Sequence, residues 1–183
     1  VEDITQKELT EQKLRESQRL LAQSQRIAKI GSWEMNAETK EVLLSEEMYR
    51  IFGLTPKAFL IYEDFLSIVH PEDLPRVQLK IGQILKAGGS YEHTYRIVDP
   101  KGNVRLIQSN GEVVKDNHGK VLKVRGVGKD VTEQARQHEE VRRLSLIAEK
   151  TVNAVLITNS NGKVEWFNEA FTKITGYSFE EIV

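Results

Sequence analysis

The chain has 183 residues, and its 26 Lys and Arg residues against 27 Asp and Glu residues leave a formal charge of -1. This balance lacks the basic excess of a nucleic-acid-binding surface, so we expect no nucleic-acid partner. The sequence contains no cysteine, which excludes disulfides, thiolate metal sites and cysteine-linked cofactors. It also has no apolar run of about 18 residues and no secretory leader, so we expect a cytoplasmic protein without direct membrane contact.

A long helix is predicted at the start of the chain. Residues 5–30 contain no Gly or Pro and are rich in Gln, Glu, Lys and Leu, which favours one continuous helix. Leu14, Leu21 and Ala28 follow one another at sevenfold spacing, with serines at the alternate core positions, so the pattern predicts a marginal coiled coil. A surface helix packed on its own domain is the alternative, because a broad apolar stripe also suits intramolecular contacts.

Period-two alternation follows, and it predicts a β-hairpin with a turn near residues 36–40. The alternating apolar residues are Trp33, Met35, Val42 and Leu44. A short helix is predicted next, because Ser45 can cap its N-terminus and Gly53 suits the residue after its C-terminus. Two more helices are expected, one near residues 62–69 and one from the end of His70-Pro71-Glu72-Asp73 to Gly88-Gly89.

Three antiparallel strands are predicted in the following forty residues. Two turn sequences, residues 99–102 (DPKG) and 116–119 (DNHG), divide this stretch. The expected strands are 91–98, 103–115 and 120–130.

A charged helix is predicted from Thr132 onward, with Val141, Leu144 and Ala148 on one stripe. Two internal sequence similarities indicate a repeated unit. Residues 130–132 (DVT) match residues 3–5 (DIT), and residues 168–177 align with residues 45–54. The hairpin expected before residue 168 has Asn161-Gly162 as its turn. The expected organisation has four segments: the end of a preceding unit and its helical linker (1–25), a complete domain (26–135), a helical linker (136–150) and part of a second domain (151–183).

Four fragments resemble motifs of the PAS family, in the same order. Residues 70–73 (HPED) resemble the motif that opens its long helix, and residues 95–102 with Arg105 resemble its YRI-x-x-DG-x-x-R strand pair. Residues 130–133 (DVTE) resemble its closing signature, while residues 168–171 (NEAF) with 175–177 (TGY) resemble the start of a second PAS domain. The resemblance implies an α+β fold, a five-stranded antiparallel sheet with helices on one face, flanked by long linker helices.

The resemblance also implies residues that couple the domain to its outgoing helix. Arg105 is expected to form a salt bridge with Asp130, and Thr132 to cap the helix. The family often has tryptophan where this sequence has Leu106, so aromatic support for the pair is missing. The alternative is that Arg105 is a solvated strand residue.

A cavity between sheet and helices is a further implication, since the family uses it for haem, flavin, small acids or nothing visible. Candidate pocket residues are Trp33, Met35, His93, Tyr95, Gly126 and Gly128. We expect no bound cofactor, while an unknown small ligand is compatible with the pattern. The two glycines leave either space or a close helix contact.

The function that the resemblance implies is a non-catalytic sensory and dimerisation module. It would form a homodimer through its linker helices and relay conformational change to a downstream output domain, in a parent protein of the sensor histidine kinase type. The alternatives are a diguanylate cyclase or phosphodiesterase parent, or a phosphoacceptor enzyme that uses His138. His138 lies on a predicted helix, but it lacks the usual proline four residues later and any glycine-rich nucleotide site.

Overall fold

A computed structural model describes residues 2–57 and 60–182. The chain divides into two compact units, 1–132 and 133–183. The helices of the first unit are α1 (Glu2–Ala28), α2 (Glu46–Phe52), α3 (Tyr62–Ile68) and α4 (Leu74–Ala87). Its strands are β1 (Ile30–Asn36), β2 (Glu41–Leu44), β3 (Leu60–Ile61), β4 (Ser90–Val98), β5 (Val104–Lys115) and β6 (Val121–Asp130). Helix α5 (Thr132–Lys150) begins at the division, and the second unit continues with β7 (Leu156–Thr158), β8 (Val164–Phe167), α6 (Glu169–Thr175) and α7 (Phe179–Ile182).

The first unit is an antiparallel sheet in the order β3-β2-β1-β6-β5-β4. The predicted α+β class and the three long strands are confirmed, with bounds that differ by one residue at most. The sheet has six strands where five were expected, because β3 adds two residues against β2 through Val42 and Leu60. A two-residue strand is too short to show the period-two pattern on which strand prediction depends.

The core lies between the inner face of the sheet and helices α2, α3 and α4. Ile97 of β4 and Ile107 of β5 are fully buried beneath Met48 and Phe52 of α2. Helix α2 approaches β1 very closely at Gly31, where an added Cβ would lie 2.5 Å from the Met48 Cα. Only glycine allows this backbone contact, so Gly31 sets the position of α2 on the sheet.

The ends of α2 agree with the sequence prediction. The Ser45 side chain accepts a hydrogen bond from the Met48 N–H, and Gly53 takes a left-handed conformation with φ of 70° after the last turn. Both groups satisfy backbone atoms that a seven-residue helix would otherwise leave unpaired.

The outer edge of β4 is covered by the chain that leads into α4. The Arg96 N–H donates to the Asp73 carboxylate, and the His70 N–H donates to the Arg96 carbonyl. The Arg96 guanidinium also donates to both Asp73 oxygens, and these bonds lower the pKa of Asp73 to about 2. Residues 70–73 therefore close a strand edge that could otherwise pair with another chain.

Three turns share one geometry, in which an Asp or Asn side chain accepts hydrogen bonds from the N–H groups two and four residues later. The first residues of these turns are Asp99, Asp116 and Asn159. Each turn has glycine as its fourth residue, at a φ of 80–85°. The hairpin between β7 and β8 therefore turns over the four residues 159–162, which include the predicted turn residues Asn161 and Gly162, and the Asn159 side chain holds this loop in place.

Strands β1 and β6 are paired from Ile30 opposite Lys129 to Asn36 opposite Lys123. Because the strands are antiparallel, the backbone that arrives from α1 and the backbone that leaves toward Thr132 lie at the same end of the sheet.

In the second unit, the Asn168 side chain joins three segments. Its amide donates to the carbonyls of Ala148 and Asn153, and its oxygen accepts from the N–H groups of Val155 and Phe171. Asn168 is 2% exposed and caps α6. All four of its hydrogen-bonding positions are used inside the second unit.

Candidate functional site

A cavity of about 60 Å³ lies between the inner face of the sheet and helices α2, α3 and α4. Every strand of the first unit except β3 contributes to its wall. Four of the six predicted pocket residues are in this wall: Trp33, Met35, His93 and Tyr95.

Gly126 and Gly128 lie in the sheet beside the cavity and are not part of its wall. An added Cβ at Gly128 would lie 2.6 Å from the Met48 Cε, and one at Gly126 would lie 2.9 Å from the Trp33 ring. At Gly128 the side chain of Met48 from α2 fills the space, so this glycine has the expected close helix contact. At Gly126 an added Cβ would lie 2.2 Å from the Asn110 carbonyl oxygen of β5, so the close contact there is with the neighbouring strand and not with a helix.

The polar part of the wall is formed by β4 and β5. Burial raises the pKa of Tyr91 and of Tyr95, and hydrogen bonds with the Ser109 hydroxyl act in the opposite direction. Burial lowers the pKa of His93, and the positive charges of Arg76 and Lys80 lower it further. The lowered pKa of His93 favours its neutral form. With Ser109 and the two tyrosines it offers hydrogen-bonding groups to a ligand, and Lys80 of α4 adds a charged group to the wall.

The volume of the cavity limits what it can hold. Drug-sized ligands occupy pockets of roughly 300 Å³ or more, whereas this cavity has room for about four to six water-sized groups. A haem or a flavin ring system does not fit these walls. The shape suits a small ligand of a few non-hydrogen atoms, with an apolar part against α4 and a polar part against β4.

A polar network lies at the junction between β6 and α5. Arg105 on β5 donates through Nε and Nη2 to Asp99, at 3.2 and 2.8 Å, and through Nη1 to the Ile51 carbonyl at 3.1 Å. Its Nη1 lies 3.9 Å from the Asp130 Oδ2. The shortest bonds of Arg105 are thus with Asp99, while Asp130 is a more distant partner.

Thr132 joins the junction to the sheet. The Thr132 N–H and hydroxyl both donate to the Asp130 Oδ1, and the Thr132 Oγ1 accepts from the Leu106 N–H at 2.8 Å. The structure therefore brings the three predicted coupling residues together. The site residue that the sequence prediction missed is Asp99, which had been assigned only to a turn.

The linker residues have little cover within their own units. Leu14, Leu21, Val141 and Leu144 are 57–67% exposed. Ala28 is exposed and Ala148 is half-buried. The alternative for α1 was packing against its own domain. In the structure, Leu14 and Leu21 of this helix remain exposed. His138 is also exposed, on α5.

Over residues 2–57 and 60–182, none of the helices combines the length and the apolar character needed to cross a bilayer.

Comparison with protein families gives two matches. The family described as PAS fold matches residues 41–128, and the one described as PAS domain matches residues 152–183. The first match runs from the start of β2 into β6 of the first unit, and the second covers β7, β8, α6 and α7.

Curated relatives come from signalling proteins. The sensor protein FixL of Bradyrhizobium diazoefficiens is 21% identical over 158 residues, which are 84% of this chain and 31% of the relative. The blue-light-activated histidine kinase of Brucella anthropi is 30% identical over 110 residues, which are 60% of this chain and 22% of the relative. The chain thus spans less than a third of the length of these relatives.

Solved structures with the same fold include a sensory box histidine kinase/response regulator from Burkholderia thailandensis. It is 25% identical with a TM-score of 0.57, and the match covers 67% of this chain and 92% of that one. The N-terminal domain of a diguanylate cyclase with PAS/PAC sensor from Marinobacter aquaeolei is 22% identical with a TM-score of 0.55, covering 58% of this chain and 98% of that one. The second likeness concerns the fold alone.

Proposed function

The chain belongs to the PAS family, and from this premise we propose that it is a non-catalytic sensory module that relays conformational change along its linker helices. The output domain would lie in the parent protein, which we propose is a cytoplasmic sensor histidine kinase. The relative and the solved structure that are named as histidine kinases support this choice over a cyclase parent. The proposed organisation is a complete domain at 26–135 between helical linkers at 1–25 and 136–150, followed by part of a second domain at 151–183.

The observation that carries the proposal is the polar path from the cavity to the start of α5. Phe52 of α2 is in the cavity wall, and the carbonyl of the preceding Ile51 accepts from Arg105. Arg105 in turn lies beside Asp130, which binds Thr132 at the first residue of α5. A small ligand that moves α2 would therefore act on the beginning of a helix, and a helix transmits displacement along its axis because its backbone is hydrogen-bonded throughout.

We expect a cavity-filling change to alter hydrogen exchange at the start of α5. Ile81 is in the cavity wall, so Ile81→Phe imitates a ligand by occupying space there. Amide exchange rates at residues 132–136 should change by roughly threefold or more, which corresponds to less than 1 kcal/mol of opening free energy. Leu79→Phe is the matched control, because Leu79 is exposed on the same helix.

Thr132→Val tests whether the junction carries this effect. The change keeps the shape of the side chain but removes the hydroxyl that bonds to Leu106 and Asp130. In the Thr132→Val background, Ile81→Phe should no longer alter exchange in α5. Equal exchange in Ile81→Phe and the unchanged protein, with Thr132 intact, would contradict the relay.

The proposed partner is a second copy of the chain, associated through the linker helices. Leu14 and Leu21 form an exposed stripe at coiled-coil spacing, and burying such a stripe between two helices is favourable. We expect light scattering to show a dimer, and Leu14→Glu combined with Leu21→Glu to weaken association by roughly 100-fold or more, since four buried leucines become charged. Leu79→Glu, at an exposed leucine outside the linkers, is the control and should leave the dimer intact. A monomeric unchanged protein would refute this partner.

A further inference from the structure

The Nη1 group of Arg105 lies between two acceptors that belong to different parts of the first unit. It donates to the Ile51 carbonyl of α2 at 3.1 Å, and the Asp130 Oδ2 lies 3.9 Å away on the other side of the junction. The second distance is too long for a hydrogen bond but short enough for an ion pair. A movement of about 1 Å would bring Nη1 into hydrogen-bonding range of Asp130.

The rest of the guanidinium is held in place by Asp99. Nε and Nη2 both donate to the Asp99 Oδ2, and the Asp99 side chain is 1% exposed. Asp99 is itself fixed by the N–H groups of Lys101 and Asn103. Arg105 can therefore rotate about a fixed pair of bonds while Nη1 changes its partner.

Asp130 has one oxygen available for this exchange. Both hydrogen bonds from Thr132 go to the Asp130 Oδ1. Within residues 2–57 and 60–182, the Asp130 Oδ2 accepts no hydrogen bond, and its nearest cation is Arg105. The Arg105 Nη1, which donates to the Ile51 carbonyl, thus lies near a carboxylate oxygen of Asp130 that can accept a hydrogen bond.

We propose that Arg105 pivots on Asp99 and exchanges Ile51 for Asp130 as the partner of Nη1 when α2 moves away from the sheet. A bond to a carboxylate is stronger than one to a carbonyl, but Asp130 is partly exposed, so water weakens the pair. The two arrangements are therefore close in energy, and a small displacement of α2 is enough to change their populations. This exchange deepens the proposed relay and rests on it, because it specifies which bond the relay breaks and which it forms.

The substitution Gly31→Ala should displace α2 in the absence of a ligand. The added Cβ would lie 2.5–2.6 Å from Cα and N of Met48, which are backbone atoms of α2, so the helix must move. Gly82→Ala is the matched control, because an added Cβ at Gly82 meets no atom of the described residues within 4 Å.

The test is a double-mutant cycle with Arg105→Lys and Asp130→Asn, measured by urea unfolding in three backgrounds. In the unchanged protein and in the Gly82→Ala background, the coupling between Arg105 and Asp130 should change the folding equilibrium constant by about twofold or less, as for an exposed ion pair. In Gly31→Ala it should rise to roughly fivefold or more, as for a direct charged hydrogen bond. The same coupling in all three backgrounds would overturn the exchange.

Gly128→Ala serves as the displacement if Gly31→Ala does not fold. Its added Cβ would lie 2.6 Å from the end of the buried Met48 side chain and not against the backbone of α2, so the disturbance of the helix is milder. Exchange at residues 132–136 is measured in the same proteins. If amide hydrogen exchange at residues 132–136 changes while the coupling between Arg105 and Asp130 stays constant, the relay stands and the proposed change of partner by Arg105 is wrong. If the coupling rises while α5 is unaffected, the partner exchange stands and the relay is wrong.

Discussion

Asp99→Ala is expected to lower the melting temperature by roughly 10 °C or more, because it leaves a partly buried guanidinium without its carboxylate. Asp99 accepts hydrogen bonds from Arg105 through two nitrogens and from Asn103 through its N–H and its side-chain amide. It also accepts from the Lys101 N–H. Removing the carboxylate therefore disrupts the turn between β4 and β5 and the support of the α2 C-terminus together.

Asp116→Ala is the matched control for this change. Asp116 begins a turn of the same geometry and accepts the same two kinds of backbone bond, from His118 and Lys120. No side-chain donor bonds to it among the described residues, so its loss should lower the melting temperature by only about 2–4 °C. Thermal unfolding followed by circular dichroism measures both. Equal losses would show that Arg105 contributes nothing to the effect of Asp99.

The same carboxylate should produce a pH dependence of stability. Hydrogen bonds from Asn103, and then from Arg105, hold the pKa of Asp99 well below its usual value of 3.8. A carboxylate with a lowered pKa in the folded state stabilises the protein fully above the unfolded value, and this contribution is lost as the pH falls through and below it. Asp99→Asn, which cannot titrate, should show a smaller fall in its urea midpoint between about pH 7 and about pH 3 than the unchanged protein.

Asn168→Asp is expected to destabilise the second unit by about 2–4 kcal/mol, because it turns a buried donor into an acceptor. The side-chain amide of Asn168 faces the carbonyls of Ala148 and Asn153, at 2.8 and 2.9 Å. A carboxylate oxygen in that position repels both carbonyls and has nothing to donate. Native-state hydrogen exchange over residues 145–182 measures the loss.

Asn159→Asp separates this effect from the general cost of a new charge. The Asn159 side chain accepts from the N–H groups of Asn161 and Lys163 in an exposed turn. A carboxylate accepts these bonds equally well, so stability should change by less than about 0.5 kcal/mol. If both variants lose the same stability, the donor role of Asn168 is refuted.

The sequence predicted those elements whose signals are local. The α2 helix was found at both ends, because Ser45 and Gly53 act on backbone atoms within four residues of themselves. Strands β4, β5 and β6 were predicted because glycine-containing turns separate them. Strand β3 was missed because two residues carry no periodic signal, although their pairing with β2 is clear in three dimensions.

The candidate site was predicted in part, because its residues are distant in sequence and depend on strand register. Trp33 and His93 were among the candidate residues of the cavity that the PAS resemblance implied, and both are in its wall. Alternation could not show that Met48 fills the space above Gly128, since that side chain comes from another element. Asp99 had a complete local explanation as a turn residue, so nothing in its pattern pointed to Arg105 on the following strand.

The antiparallel pairing of β1 with β6 has a mechanical consequence. Tension applied through the two linkers would act at Ile30 and Asp130, which lie at the same end of this strand pair. The hydrogen bonds between the two strands would then bear the force one after another and not all at once. Because only the hydrogen bonds nearest the loaded end carry the force at any moment, this strand pair resists such tension less than one pulled from opposite ends.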